Sequence, residues 1–177
     1  MAIWALKIVP EQGIQADLAT VKGLVEEKEY LKALYLLEIM PENIESAALK
    51  YQCKLEVSEN SAIRYFDVIQ EKYRGDEQYP AVMESIMHWV LVSDSRTDAV
   101  IKNGLDAAER LLRSGRNGDY RVHETMGILC YRYGESFKRK GVQALENSIP
   151  AAKMNCAGDD VIKHLEEQVK IYREKLD

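Results

Sequence analysis

The apolar residues of this chain recur every three or four positions along nearly its whole length, which is the spacing of an amphipathic helix. Leu18, Val21 and Val25 show the pattern near the start, and Val161 and Leu165 show it near the end. Clean alternation of apolar and polar residues, the pattern of a half-buried strand, never extends beyond a few positions. The sequence therefore predicts an all-α protein with about eight or nine helices joined by short loops.

Prolines and capping residues predict where several of these helices begin and end. Pro41 suits the first turn of a new helix, and Ser58 supplies a capping side chain for the next one. Pro150 is expected to kink or end a later helix, and Gly158 to open the last one.

Composition limits the class of protein further. The chain has 177 residues, 46% of them apolar, and a net charge of −5, which fits one folded domain and disfavours a general nucleic-acid binder. Cys53, Cys130 and Cys156 lie far apart and form no Cys-x-x-Cys pair. Such cysteines are expected to be small buried residues in a reducing compartment, which favours a cytoplasmic protein.

Residues 1–13 form an apolar N-terminal segment with two interpretations. Lys7 interrupts the apolar run, Pro10 ends it and no basic residue precedes it, so neither a signal peptide nor a membrane span is predicted. In the first interpretation the segment is a short strand or coil that covers the first face of the fold with Ile3, Trp4, Leu6 and Ile8. In the second it is a hook for a partner or the remainder of an anchor.

A small residue followed by larger apolar ones recurs in the second helix of each expected helix pair. The instances are Ala33 with Leu37, Ala62 with Phe66, Ala108 with Leu112, and Ala144 with Ser148. This pattern resembles the tetratricopeptide-repeat (TPR) family, although the Trp-x-x-Leu-Gly signature is missing, so an armadillo-like or irregular stack of helical hairpins stays open. The resemblance implies a right-handed α-solenoid of about four hairpins over residues 14–157, with a capping helix over 158–177.

The same resemblance implies protein–protein binding, as an adaptor, scaffold or chaperone that holds a protein or peptide in a concave groove. First-helix side chains would then line that groove: Tyr51, Lys54, Glu84, His88, Glu124, Tyr131 and Arg132. Glu84 and His88 are four residues apart on the otherwise apolar helix 81–92, so they share one face. Either they line a solvent-filled groove, or a neighbouring helix satisfies them internally.

Charge is unevenly distributed between the two halves of the chain. Residues 1–95 have 9 basic and 16 acidic groups, and residues 96–177 have 15 and 13. The possible basic surface comprises Arg113, Arg116, Arg121, Lys138, Arg139 and Lys140. These residues either sit in solvated loops or meet an acidic peptide, an acidic partner or the acidic half of another copy, which would give a homo-oligomer.

Catalytic and cofactor motifs are missing from the sequence. It contains no Glu-x-x-His, no His-Glu-x-x-His, no phosphate-binding glycine loop and no Gly-x-Ser-x-Gly. His164 and Glu167 form one isolated pair that could contact a metal. We therefore expect no enzyme activity, cofactor, metal or nucleic-acid partner. Two alternatives to a protein-binding module stay open. The first is a self-assembling structural subunit, and the second, less favoured, is a helical enzyme domain built on Glu84 and His88.

Overall fold

The computed structural model describes residues 17–93 and 95–176, and within them every regular element is helical. This confirms the all-α prediction for the described part of the chain; the apolar segment 1–13 lies outside it. The nine α-helices are α1 (Leu18–Glu26), α2 (Tyr30–Ile39), α3 (Ile44–Val57), α4 (Glu59–Lys72), α5 (Tyr79–Leu91), α6 (Asp98–Arg113), α7 (Tyr120–Tyr133), α8 (Lys138–Met154) and α9 (Asp159–Glu174).

Side-chain caps fix the start of several helices. The Asn43 side chain accepts a hydrogen bond from the Ser46 amide at 2.8 Å, and the Ser46 hydroxyl accepts one from the Asn43 amide at 2.9 Å. This reciprocal cap places the start of α3 at Ile44, three residues after the proline that was expected to open it. Ser58 is the N-cap residue of α4, as predicted, but its side chain makes no capping hydrogen bond.

Helix α8 continues through Pro150 to Met154, so of the two expected outcomes, a kink or a helix end, the helix end does not occur. Proline removes one backbone hydrogen bond and crowds the preceding turn. Here Ser148, Ala151 and Ala152, on both sides of Pro150, are buried. Packing against neighbouring helices therefore holds α8 together for one more turn.

The buried side chains form two clusters. The larger one extends from α3 to α8 and contains Tyr51, Phe66, Met83 and Leu129. The smaller one joins α1 and α2 to α3. Cys53 and Cys130 are buried, as predicted for small apolar residues, whereas Cys156 is exposed.

Each helix packs mainly against its neighbours in the chain. The pairs α1–α2, α3–α4, α5–α6 and α7–α8 are in contact, and α9 packs on α8. A second set of contacts joins α1 to α3, α3 to α5 and α5 to α7. The first helices of the four pairs therefore contact one another in series, and α5 lies in the middle of that series.

No helix in the described residues is long and apolar enough to cross a membrane.

Candidate functional site

Three adjoining depressions follow the series of first helices. The first is bordered by α1, α3 and α5, the second by α5 and α7, and the third by α7 and α9. The first two share Ala81, Ser85 and Trp89, and the last two share Arg121. The depressions adjoin one another at these shared lining residues, and we call the three together the groove.

An aromatic stack supports the floor of the groove. Trp89 is partly exposed in both of the first two depressions, and its ring is stacked on that of Tyr51 with centroids 6.4 Å apart. Tyr51 in turn contacts Phe66, with centroids 6.1 Å apart. This stack fixes the orientation of Trp89 from the core outward.

Small side chains surround Trp89. Ala48 and Ala81 line the first depression, and Ser85, whose hydroxyl donates to the Ala81 carbonyl at 3.1 Å, lines both. Because these side chains are short, space is left open beside the indole ring, and the second depression has a volume of about 560 Å³. That volume lies within the range of ligand pockets in proteins.

Charged groups lie at the sides of the groove, and most are already paired. Arg116 donates a hydrogen bond to Glu84, and this bond raises the pKa of Arg116 above its usual value. One turn beyond Glu84, His88 is exposed. In the third depression, the Glu124 carboxylate and the His164 ring nitrogen are 3.4 Å apart. A ligand in the groove would therefore meet both signs of charge.

Three of the seven residues predicted to bind a partner lie in the groove: Glu84, His88 and Glu124. Tyr51 does not, because its side chain is completely buried and burial raises its pKa to about 12. It belongs to the core beneath Trp89, so a partner in the groove does not touch it.

The other three predicted residues make contacts within the chain. The Lys54 ammonium lies over the Tyr65 ring on α4, 5.4 Å from its centroid. Tyr131 packs edge-on against Tyr172 of α9, with centroids 4.7 Å apart. Arg132 donates to the Leu91 carbonyl at 2.8 Å, so it caps the end of α5. All three side chains therefore already have contacts within the chain, and none of them lines the groove.

The possible basic surface is divided among separate partners. Arg113 and Lys140 both pair with Glu109, at 3.2 and 2.8 Å, while Arg116 pairs with Glu84 on the groove side. Two more of these residues contact aromatic rings, and one is exposed. Lys138 lies over the Tyr131 ring and pairs with Glu135, Arg121 lies over the Tyr120 ring, and Arg139 is exposed. The basic side chains thus do not act together as one unpaired patch.

Sequence reasoning missed the small residues that open the groove. Ala81 and Ser85 are four positions apart on α5, the same spacing as Glu84 and His88. The short side chains of Ala81 and Ser85, at helical spacing before Trp89, were the signal in the sequence that could have located the floor of the groove.

Over residues 17–93 and 95–176, no group of three or more His, Cys, Asp or Glu side chains is placed to hold a metal ion.

Comparison with known proteins gives no relative. No family model matches the chain, and neither does a curated protein or a solved structure.

Proposed function

We propose that this chain is a non-catalytic protein-binding module of the adaptor, scaffold or chaperone type, which holds a peptide or a segment of a partner protein in the groove. The four helix pairs would stack as a TPR-like, right-handed solenoid capped by α9. The serial contacts α1–α3, α3–α5 and α5–α7 support this arrangement, because stacked hairpins pack each first helix against the next one.

The observation that carries the proposal is the partly exposed Trp89, which lines both the first and the second depression of the groove. Exposed tryptophans that are held rigidly and surrounded by an open pocket are typical anchors of protein interfaces. Ala48, Ala81 and Ser85 leave room beside the ring for an apolar side chain of a ligand. Burying one large apolar side chain there contributes about 1.5–3 kcal/mol.

The charges beside Trp89 favour a ligand of mixed character over one of a single sign. Lys22 and Glu45 pair at 2.6 Å at one end of the groove, and the Glu84–Arg116 pair lies near its middle. A peptide with one central apolar residue and flanking polar residues fits this pattern better than a uniformly acidic or basic chain does.

A matched pair of serine substitutions tests the proposal. Peptides would first be selected from a random displayed library on the wild-type chain, and their affinities measured by isothermal titration calorimetry. Ser85→Arg fills the groove floor, and we expect it to weaken binding by at least about tenfold, or 1.4 kcal/mol. Ser61→Arg introduces the same side chain at an exposed position on α4, away from the groove, and should leave the affinity unchanged.

Circular dichroism would confirm that both variants are folded. Equal affinities for Ser85→Arg and Ser61→Arg would place the binding surface elsewhere. Failure to select any peptide that binds the folded wild-type chain would contradict a peptide-binding groove altogether.

A further inference from the structure

An exposed apolar stripe lies along helix α2. Leu31, Tyr35 and Ile39 are spaced four residues apart, and their exposed fractions are 68%, 38% and 61%. Residues at this spacing lie on one helix face, so the three side chains form a surface about 12 Å long, which we call the α2 stripe. The opposite face of α2 buries Ala33 and Leu37 against α1 and α3. The α2 stripe therefore faces away from this buried cluster.

The last helix of the chain is built differently. Helix α9 buries Leu165 and Val169, and its exposed positions include Lys163, Glu166 and Lys170. Charged side chains of this kind keep the end of a helical stack in solution. On α2 three large apolar side chains occupy exposed positions instead, and such a patch marks a contact surface.

Oppositely charged side chains flank the α2 stripe at equal distances from its centre. Lys32 precedes Tyr35 by three residues and Glu38 follows it by three, and the side chains of this lysine and this glutamate are 62% and 58% exposed. Leu31 and Ile39 lie four residues before and after Tyr35. In either direction from Tyr35, this face therefore has a charged residue at the third position and an apolar one at the fourth, and the two charges have opposite signs.

We infer that the α2 stripe is the interface of a symmetric dimer, in which α2 packs antiparallel on α2 of a second copy of this chain. A two-fold axis beside Tyr35 places each residue that follows Tyr35 level with the residue that precedes it by the same distance in the other copy. Leu31 then lies level with Ile39 of the second copy, and Lys32 lies level with Glu38 of the second copy. Each apolar contact and each ion pair occurs twice in the dimer.

Charge complementarity is what selects a second copy as the occupant. A different partner would need an acidic and a basic residue at matching distances from an apolar centre, whereas a second copy has them by symmetry. Antiparallel packing also sets the positive N-terminal end of each α2 beside the negative C-terminal end of the other.

The ion pairs within the chain are compatible with this arrangement. Lys50 lies 2.8 Å from one carboxylate oxygen of Glu38, and a carboxylate has a second oxygen that can accept from another ammonium group. Lys32 lies 3.3 Å from Glu29 in an exposed pair, and exposed pairs are weak enough to exchange.

The α2 stripe and the groove are separate surfaces. Among the described residues that line the three depressions, none belongs to α2. The dimer would therefore present two grooves, and its formation does not depend on whether the groove binds a peptide. One helix face buries less area than a standard protein interface, so we expect a weak dimer whose population depends on concentration.

Sedimentation velocity of the full chain over about 1–500 µM tests the inference, with a monomer–dimer equilibrium as the expected result. Leu31→Asp combined with Ile39→Asp should weaken the dimer by at least about tenfold, because it places carboxylates in the apolar contacts. Val68→Asp introduces the same charge at a valine of α4 that is 41% exposed, and it should leave the equilibrium unchanged.

Charge reversal tests the antiparallel pairing itself. Lys32→Glu places two glutamates at each ion pair and Glu38→Lys places two lysines there, so at low salt either variant alone should dimerise at least about tenfold more weakly than the wild type. An equimolar mixture of the two should recover the dimer, because every contact between unlike variants again joins a glutamate and a lysine. Lys170→Glu makes the same charge change at an exposed position of α9 and should have no effect.

Circular dichroism verifies that each variant is folded, because Glu38→Lys also removes a partner of Lys50. If this variant does not fold, Lys32→Glu is mixed with the wild type instead. That mixed dimer keeps one of the two ion pairs, so its affinity should lie between those of the two homodimers.

Three results would overturn the inference. A wild-type chain that stays monomeric up to about 500 µM leaves the α2 stripe to a different partner. A dimer that is insensitive to the changes at Leu31 and Ile39 uses another face of the molecule. A dimer that is sensitive to them but unaffected by charge reversal, or not recovered by mixing, lacks the antiparallel pairing.

Discussion

Gly127 on α7 and Gly141 on α8 allow these two helices to approach closely, and alanine at either position should destabilise the fold. A Cβ atom at Gly127 would lie 2.5 Å from Leu145 Cγ and 2.9 Å from the Gly141 carbonyl oxygen. A Cβ at Gly141 would lie 2.7 Å from the Gly127 carbonyl oxygen. Both carbonyls belong to helix backbones, so neither can rotate away as the end of a side chain could.

The change in the free energy of unfolding caused by Gly127→Ala is the difference between a gain in helix propensity and a cost of overpacking. Alanine is more favourable than glycine inside a helix by about 0.8–1 kcal/mol. Overpacking a closely packed site costs about 1–3 kcal/mol. Because a methyl group at Gly127 meets a side chain and a backbone oxygen within 3 Å, we take about 3 kcal/mol for the cost. The expected net loss for Gly127→Ala is therefore about 2 kcal/mol in the free energy of unfolding.

Gly23→Ala is the matched control, because a Cβ at Gly23 in α1 would meet no atom within 4 Å. The same substitution there should raise the free energy of unfolding by about 0.5–1 kcal/mol. Urea titration monitored by far-ultraviolet circular dichroism measures both variants against the wild type. The two substitutions are thus expected to move the unfolding midpoint in opposite directions.

A Gly127→Ala variant as stable as the wild type, with Gly23→Ala stabilised as expected, would refute the reasoning. That result would mean that α7 and α8 are farther apart than their backbone positions indicate. Gly141→Ala provides an independent measurement at the same contact.

Two further predictions concern ion pairs. The hydrogen bond from Lys140 lowers the pKa of Glu109 below its ordinary value of 4.5. The stability that comes from this lowered pKa is present above about pH 4.5 and is lost as the pH falls through the folded-state pKa. Urea midpoints of Glu109→Gln should therefore fall less than those of the wild type between about pH 5 and pH 3, and parallel profiles would contradict this. Arg96 donates to the Leu55 carbonyl at 3.3 Å and pairs with two glutamates of α3 and α4, so Arg96→Gln should lower the free energy of unfolding by about 1–3 kcal/mol. The exposed pair made by Arg113 is the control, and Arg113→Gln should change stability by less than about 0.5 kcal/mol.

The helices were predictable because their signal is local. Apolar residues such as Ala62, Phe66 and Ile69 repeat at helical spacing, and all three are buried in the structure. Exact helix ends depend on contacts that spacing does not encode. Asn43 starts α3 through its bond to Ser46, and buried neighbours hold α8 together across Pro150.

The groove was only partly predictable, because its residues come together from distant parts of the chain. Glu84 and His88 could be placed on one face from their spacing within a single helix. Arg116, the partner of Glu84, lies 32 residues farther along, and no local pattern links the two. Tyr51 has helical spacing that fits either a groove or a core, and only packing against Phe66 and Trp89 places it in the core.

The pairing of charges also bears on how a groove of this kind would recognise a partner. The basic residues of the second half looked available in the sequence, but Arg113 and Lys140 share Glu109, and Arg116 is bound to Glu84. A charged ligand must replace these existing ion pairs, so each new pair it forms is offset by one that it breaks. Contact with Trp89 breaks no pair of this kind, and it removes apolar surface from water on both molecules. A partner in the groove would therefore gain most of its affinity from the apolar contact at Trp89, with the charged rim setting its orientation.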